Sequence, residues 1–341
     1  MTTGNGSSVN GEFPFRDRFA TSGFEALAAK LLSSYQEMLN RVSTDASSAF
    51  AERHLGVILA STKGRLGDFI FSPRAEDLAV DPLTPLLDQT LGRLGLKAGR
   101  SLVVSNACSS ALAAMALAQE WLHQDLDDVL IFAGDVISDF VRQGFRSLNL
   151  LDNTHIPKPF SGSRAGFLLG EAAACIWLSR KTSRPLASLA PVGLDMDSSA
   201  VARPSPSADS LRRAIGKISK VHSSPPSLIL AHGTGTLIND VAEDLAFSDF
   251  FGETTPPVTG SKWSIGHTLG ASAAVDTILA VECLQRQSSF PLANTSLADS
   301  GFRSRYLTSV KDPIEKVNRV LVTSLGFGGL HAAALVERPD L

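Results

Sequence analysis

The stretch SLVVSNACSSALAAMALA, Ser101 to Ala118, sets a single cysteine, Cys108, where a short buried strand gives way to an alanine-rich helix. A strand that is apolar throughout suits a sheet covered on both faces. A cysteine at the start of a helix meets the positive end of the helix dipole and unpaired backbone N–H groups, and both favour the thiolate, the nucleophilic form. Its small neighbours Ala107, Ser109 and Ser110 leave room for a substrate. The plainer reading of the same residue is a small core hydrophobe.

Working outward, the stretch has an echo. GSKWSIGHTLGASAAVDTILAVECL, Gly260 to Leu284, repeats the order of strand end, turn and helix, with His267 at the turn. FLLGEAAACIWL, Phe167 to Leu178, matches GFGGLHAAALVE, Gly326 to Glu337, as a glycine followed by a short apolar strand. GVILAS (Gly56 to Ser61), DVLIFAG (Asp128 to Gly134), SLILAH (Ser227 to His232) and RVLVTSL (Arg319 to Leu325) read as further buried strands. PLLDQTLGRLGL (Pro85 to Leu96) and ADSLRRAIGKISKV (Ala208 to Val221) read as helices between them. The alternation predicts an α/β layered fold, and the echoes predict two duplicated halves. We expect a flexible segment over residues 1–12, an N-terminal half over 13–182 and a C-terminal half over 183–341. The polar RKTSRP join, Arg180 to Pro185, would be a seam inside one unit.

Composition narrows the function. In 341 residues, 44% hydrophobic and 19% charged is a globular balance, and a net charge of -3 gives no electrostatic case for nucleic acid or an anionic membrane. The cysteines, Cys108, Cys175 and Cys283, are odd in number and widely spaced, unlike a disulfide framework or a structural zinc site. With no signal-peptide pattern and no apolar run of membrane-spanning length, we expect a soluble cytoplasmic protein.

Three other places offer chemistry. In AHGTGTLINDVAEDL, Ala231 to Leu245, His232 ends an apolar strand in a glycine- and threonine-rich loop. Asp240 and Glu243 follow three residues apart on one helix face, placed to anchor a cation. Lys262 lies five residues before His267, and a nearby lysine would hold a buried histidine neutral. The glycines around Phe327 in SLGFGGLHAA, Ser324 to Ala333, permit positive φ and bring backbone N–H groups to a surface, as an oxyanion hole requires. Each taken alone also reads as ordinary structure: a strand-end turn, a core histidine, a surface lysine, a hairpin.

Together, a helix-start cysteine, two glycine-flanked histidines, a terminal GFGG turn and the PFSGSRAGFLLGEAAA segment, Pro159 to Ala174, resemble the β-ketoacyl synthase family of the thiolase superfamily, over roughly Gly56 to Glu337. The resemblance implies a thiolase-like αβαβα fold of two similar halves with one active site at their junction. It implies that Cys108 accepts an acyl group, and that His232 and His267 steer decarboxylation of a malonyl thioester and stabilise its enolate. The enolate then attacks the acyl-cysteine, the elongating reaction of Cys-His-His members. Backbone N–H groups of Cys108 and Phe327 would hold the oxyanion, Phe327 would gate the cysteine, and Lys262 would organise the site with Asp240 and Glu243 as its carboxylate support.

The implied partner is an acyl carrier protein, with phosphopantetheine arriving on the substrate and no metal or other cofactor required. Arg142 and Arg146, or Arg212, Arg213 and Lys217, are candidate docking positions. The family habit is a dimer through the strand before the nucleophile, here SLVVSN: a homodimer, or a heterodimer with a related subunit. Two features depart from the family. The usual opening strand is not evident, and the region before Cys108 is short. Asn106 stands where threonine or serine is frequent, and His331 occupies the terminal turn in place of asparagine. The departures keep two alternatives open: acyl transfer from Cys108 without elongation, and a chain-length-factor-like partner subunit. A cysteine hydrolase would need a base oriented by a carboxylate or amide, which the sequence does not identify.

Overall fold

The fold is seen in a computed structural model, which describes residues 23–41, 54–64, 81–199, 201–220, 224–309, 314 and 316–339. The expected 1–12 segment lies outside them. The first sheet contains β1 (Leu55–Ala60), β2 (Arg100–Val104), β3 (Asp128–Asp135) and β4 (Ala172–Ser179), in the order β2-β1-β3-β4. The second contains β5 (Ser188–Leu189), β6 (Gly193–Met196), β7 (Leu228–Leu230), β8 (Val258–Thr259), β9 (Arg319–Leu325) and β10 (Leu330–Glu337), in the order β5-β10-β9-β7-β8, with β6 also on β10.

The duplication is visible in the pairing. In the first sheet β1 pairs parallel with β2 and β3, and β3 pairs antiparallel with β4. In the second, β7 pairs parallel with β8 and β9, and β9 pairs antiparallel with β10. The halves therefore share one wiring. They differ at one edge: β10 carries β5 and β6 on its outer side. Among the described residues β4 has no such cover, and an apolar cleft of about 530 Å³ runs along it.

Side-chain alternation along each strand builds the layers. On β1, Leu55, Val57 and Leu59 face an outer layer formed by α1 (Gly23–Arg41) and α2 (Thr84–Leu94), through Leu27, Leu31, Leu86 and Leu87. Ile58 and Ala60 face the opposite way, onto α3 (Ser110–Gln124), α8 (Ser272–Arg286) and, across them, Ala332 and Ala334 of β10. Alanine dominates here because α3 and α8 are shared by both sheets and need small side chains on several faces. Gly56 serves the same packing, since a Cβ there would lie 2.6 Å from Leu126 and 2.8 Å from Trp121. Beyond the second sheet, α5 (Asp209–Ser219) and α6 (Leu237–Phe251) bury Leu211, Ile215, Ala246 and Phe247 against Ile229, Leu321 and Leu335. The result is helix, sheet, shared helices, sheet, helix: the αβαβα layering that the family resemblance implies. Of two more helices, α4 (Asp139–Ser147) gives Phe145 to the cavity described next, and the short α7 (Lys262–Ile265) leads into His267.

Candidate active site

α3 and α8 start side by side, so the turns before them meet. Before α3 the chain passes through Ala107 at φ +48°, a left-handed conformation that a non-glycine residue holds only under constraint. The constraint comes from serines. Ser110 Oγ accepts from the Asn106 N–H (2.9 Å) and donates to the Ala107 carbonyl (2.6 Å). Ser109 Oγ donates to the Leu330 carbonyl (2.9 Å), and Ser324 Oγ to the Cys108 carbonyl (3.0 Å), tying the turn to the other half.

Before α8, His267 donates its N–H to the Leu168 carbonyl (2.7 Å) and accepts from the Gly170 N–H (3.0 Å). Its Nε2 lies 3.0 Å from Cys108 Sγ. The Phe167 ring stands edge-on to it, 5.1 Å between centroids. His232, at the end of β7, comes within 5.2 Å of His267, ring to ring. Ligand atoms of Cys108, His232 and His267 all fall within 4.8 Å of one another. They share a cavity of about 290 Å³ with Phe145, Phe327 and His331. The Phe327 N–H reaches the Cys108 sulfur, while its ring packs on Phe145 at 5.6 Å.

Family models for the β-ketoacyl synthase N-terminal domain and C-terminal domain match residues 24–184 and 186–296. The chain belongs to the β-ketoacyl synthase family. A putative mitochondrial 3-oxoacyl-[acyl-carrier-protein] synthase of Schizosaccharomyces pombe is 29% identical over 69% of this chain, and the match spans 60% of that protein. A phenolphthiocerol/phthiocerol polyketide synthase of Mycobacterium tuberculosis is 31% identical over 70% of this chain, a match to 14% of its length. A solved ketosynthase from Xenorhabdus doucetiae, in complex with its chain length factor, superposes with a TM-score of 0.79 at 25% identity, covering 93% of this chain and 82% of that one. The solved ketosynthase shares the thiolase-like fold described above.

The electrostatics of this β-ketoacyl synthase chain depart from the sequence expectation at one residue. Burial pushes the Cys108 thiol up to about 11, against the opposing pull of Lys262, Lys63 and the Phe327 N–H. Desolvation of an anion outweighs the helix end, because Cys108 is only 4% exposed. The expectation of a favoured thiolate is thereby corrected: the resting group is a thiol. Both histidines are held well below their usual value, first by burial and then by Lys262, so both are neutral as Lys262's proximity predicts. Alkylation of Cys108 by iodoacetamide, followed by peptide mapping, should climb about tenfold per pH unit up to at least pH 10. A plateau below pH 8 would restore the helix-end thiolate.

A second correction concerns the carboxylates. Lys262 Nζ pairs with Asp276 Oδ2 at 3.2 Å, both side chains 1% exposed, while Glu243 feels the Lys262 charge without an ion pair to it and Asp240 lies beside Arg164 instead. Asp276 is one turn into α8, buried, and Ser261 Oγ donates to its other oxygen (2.5 Å). Glu243 instead receives the backbone N–H groups of His232 and Gly233, each at 2.7 Å, and the Thr323 hydroxyl at 2.8 Å. Asp240 receives the N–H groups of Phe160 (2.7 Å) and Gly235 (3.0 Å). The two acids therefore brace the histidine loop. Removing one partner of a sealed ion pair strands the other, so Asp276→Ala should lower unfolding stability in urea by about 3–5 kcal/mol. Lys262→Met with Asp276→Leu should recover most of it, and a loss below about 1 kcal/mol for the single variant would contradict the pairing.

Sequence reasoning missed Lys63 and Asp135. Lys63 follows β1, its charge bears on Cys108 and His267, and burial lowers it while Asp135 raises it. Asp135 ends β3 and accepts from Ser61 Oγ (2.8 Å), the Thr62 N–H (3.0 Å) and the Gly270 N–H (2.7 Å), joining the halves. The available signal was a polar residue at the carboxyl end of a doubly covered strand, where α/β sheets place their sites. Of the basic candidates, Arg212, Arg213 and Lys217 are engaged by Asp209, Asp249 and Asp195. Arg142, itself paired with Asp139 at 3.1 Å, and Arg146 lie on α4, whose Phe145 lines the cavity.

Proposed function

We propose that this chain is a condensing enzyme that loads an acyl group on Cys108 and extends it by decarboxylative Claisen condensation with a malonyl thioester, in fatty acid or polyketide-type synthesis. The observation that carries the reading is Cys108 Sγ at 3.0 Å from His267 Nε2 with His232 alongside, all buried in one cavity. In loading, Cys108 Sγ attacks the carrier thioester and its proton passes to His267 Nε2. The N–H groups of Cys108 and Phe327 hold the oxyanion, and the departing carrier sulfur takes the proton. In the second step the malonyl thioester loses carbon dioxide, and the neutral imidazoles of His232 and His267 donate to its enolate oxygen; His267, an Nε2 acceptor during loading, first exchanges protons with solvent to the Nε2–H tautomer. The enolate carbon then attacks the acyl-cysteine, the carbon–sulfur bond breaks, and the released thiolate takes a proton from water, restoring the Cys108 thiol. Phe327 gates the cysteine, Lys262 keeps the imidazoles neutral, and Asp240 and Glu243 hold the loop that carries His232.

A hydrolase relay has less support: the Nδ1 atoms of both histidines are without partners among the described residues, so no carboxylate orients either ring. Acyl transfer without elongation and a chain-length-factor-like role are distinct outcomes of one assay. Mixed with acyl- and malonyl-carrier proteins, a condensing enzyme releases carbon dioxide and a β-ketoacyl carrier two carbons longer. A plain transferase acquires an acyl group but releases no carbon dioxide, and a lone chain-length factor does neither.

The proposed partner is an acyl carrier protein docking near Arg142 and Arg146. The proposed assembly is a dimer across β2, an edge strand whose Leu102 is 46% exposed, either homodimeric or formed with a related synthase chain. The halves 13–182 and 183–341 are read as two copies of one unit. Among the described residues no helix is long and apolar enough to cross a membrane. The cytoplasm, as a reducing compartment, suits three free cysteines.

A further inference from the structure

His331 has no task in the condensation just described, yet it lies in the same cavity as Cys108, His232 and His267. It sits on β10 between Leu325 of β9 and Asp195 of β6, and is 2% exposed. The neighbouring GFGG turn does not depend on it. Backbone bonds from Asp197 N–H to the Gly329 carbonyl (2.8 Å) and from Gly328 N–H to the Val201 carbonyl (2.7 Å) hold that turn. A Cβ on Gly329 would lie 1.9 Å from the Asp197 carbonyl oxygen, so close backbone approach already fixes the geometry.

The imidazole itself is half engaged. Nδ1 meets the Ser210 hydroxyl, at the start of α5, at 2.5 Å. Nε2 makes no hydrogen bond among the described residues, and it is not sealed in protein as the Nδ1 atoms of His232 and His267 are. A ring anchored through one nitrogen, with the other left to a substrate cavity, is a hydrogen-bonding group held for a ligand. The thioester carbonyls are already served by the two catalytic histidines and the backbone N–H groups. What remains for Nε2 is an oxygen further along the acyl group.

We propose that His331 is a specificity-determining residue whose Nε2 hydrogen-bonds an oxo or hydroxyl oxygen on the acyl primer, so that the cavity selects oxygenated acyl groups over saturated ones of equal length. The assignment rests on the reading of Cys108 as acyl acceptor. Its energetic basis is asymmetric: a saturated chain would cover Nε2 without offering it a partner, and sites built for a hydrogen bond reject analogues that lack it.

The test is the rate of Cys108 acylation, read by intact-protein mass, with butyryl-, 3-oxobutyryl- and 3-hydroxybutyryl-carrier thioesters. Wild type is compared with His331→Asn and His331→Gln. Asparagine places its amide near the Nδ1 position and can keep Ser210 bonded, whereas glutamine reaches the Nε2 position. Wild type should load one of the oxygenated primers about fivefold or more faster than butyryl, the effect of one hydrogen bond. His331→Asn should bring that ratio close to one, with the oxygenated primer losing more rate than butyryl, and His331→Gln should restore part of it. An unchanged ratio in His331→Asn, or equal loss of every rate, would overturn the assignment and leave His331 a structural residue. Loading of no primer by wild type would instead overturn the Cys108 reading, and this assignment with it.

Discussion

Cys108→Ala should leave the protein folded but unable to retain an acyl group, and should lower condensation by on the order of 10⁴ or more. The site offers no substitute. Cys175 and Cys283 are buried elsewhere in the fold, the first packed among the α1 and α2 residues and the second beneath the second sheet. The turn that presents Cys108 is held by Ser109 and Ser110 hydroxyls and by Ser324, none of which needs the sulfur, so alanine should be tolerated. Intact mass after incubation with an acyl carrier reads the loss directly. Retention of a stable adduct in the variant would place the acceptor at another residue.

The histidines should divide the reaction between them. His267→Ala should slow both acyl loading and malonyl decarboxylation, because Nε2 at 3.0 Å is the group in reach of the thiol proton. His232→Ala should spare loading and slow decarboxylation. Each loss is expected at about 10²–10⁴, the range for a positioned proton-transfer or hydrogen-bonding group. The double variant should be no slower at decarboxylation than the product of the singles, and closer to the worse of the two, since the rings stand 5.2 Å apart and act on one oxygen. Single-turnover loading and carbon dioxide release, measured separately, distinguish the two roles. Equal loading rates in wild type and His267→Ala would remove His267 from the acylation step.

The parts of this protein legible in its sequence are those where a local signal coincides with a long-range requirement. Cys108 and His267 stand at the same point of two matching strand–turn–helix units, and the shared helix layer brings those points together. His232 is marked by its glycines at the end of β7 for the same reason. Illegible were contacts that depend on how faces meet. Asp240 and Glu243 do share a helix face, but that face binds backbone N–H groups: Glu243 feels the Lys262 charge without pairing with it, and the cation beside Asp240 is Arg164 at 3.9 Å. Asp276 becomes the lysine's partner only through the rotation of α8 about its axis. Lys63 and Asp135 lie in different strand ends, with no spacing to connect them until β1 and β3 pair. The thiol's protonation was misjudged because the helix end can be read from sequence, whereas depth of burial cannot.

The central claim is that Cys108 holds an acyl group which a malonyl thioester then removes by forming a carbon–carbon bond. The most direct measurement is the mass of the intact protein, first after acyl-carrier thioester and again after malonyl-carrier protein is added. The expected result is an adduct on Cys108 that disappears on the second addition, with carbon dioxide released and a β-ketoacyl carrier formed. An adduct that persists in the presence of malonyl-carrier protein, or that never forms, would contradict it.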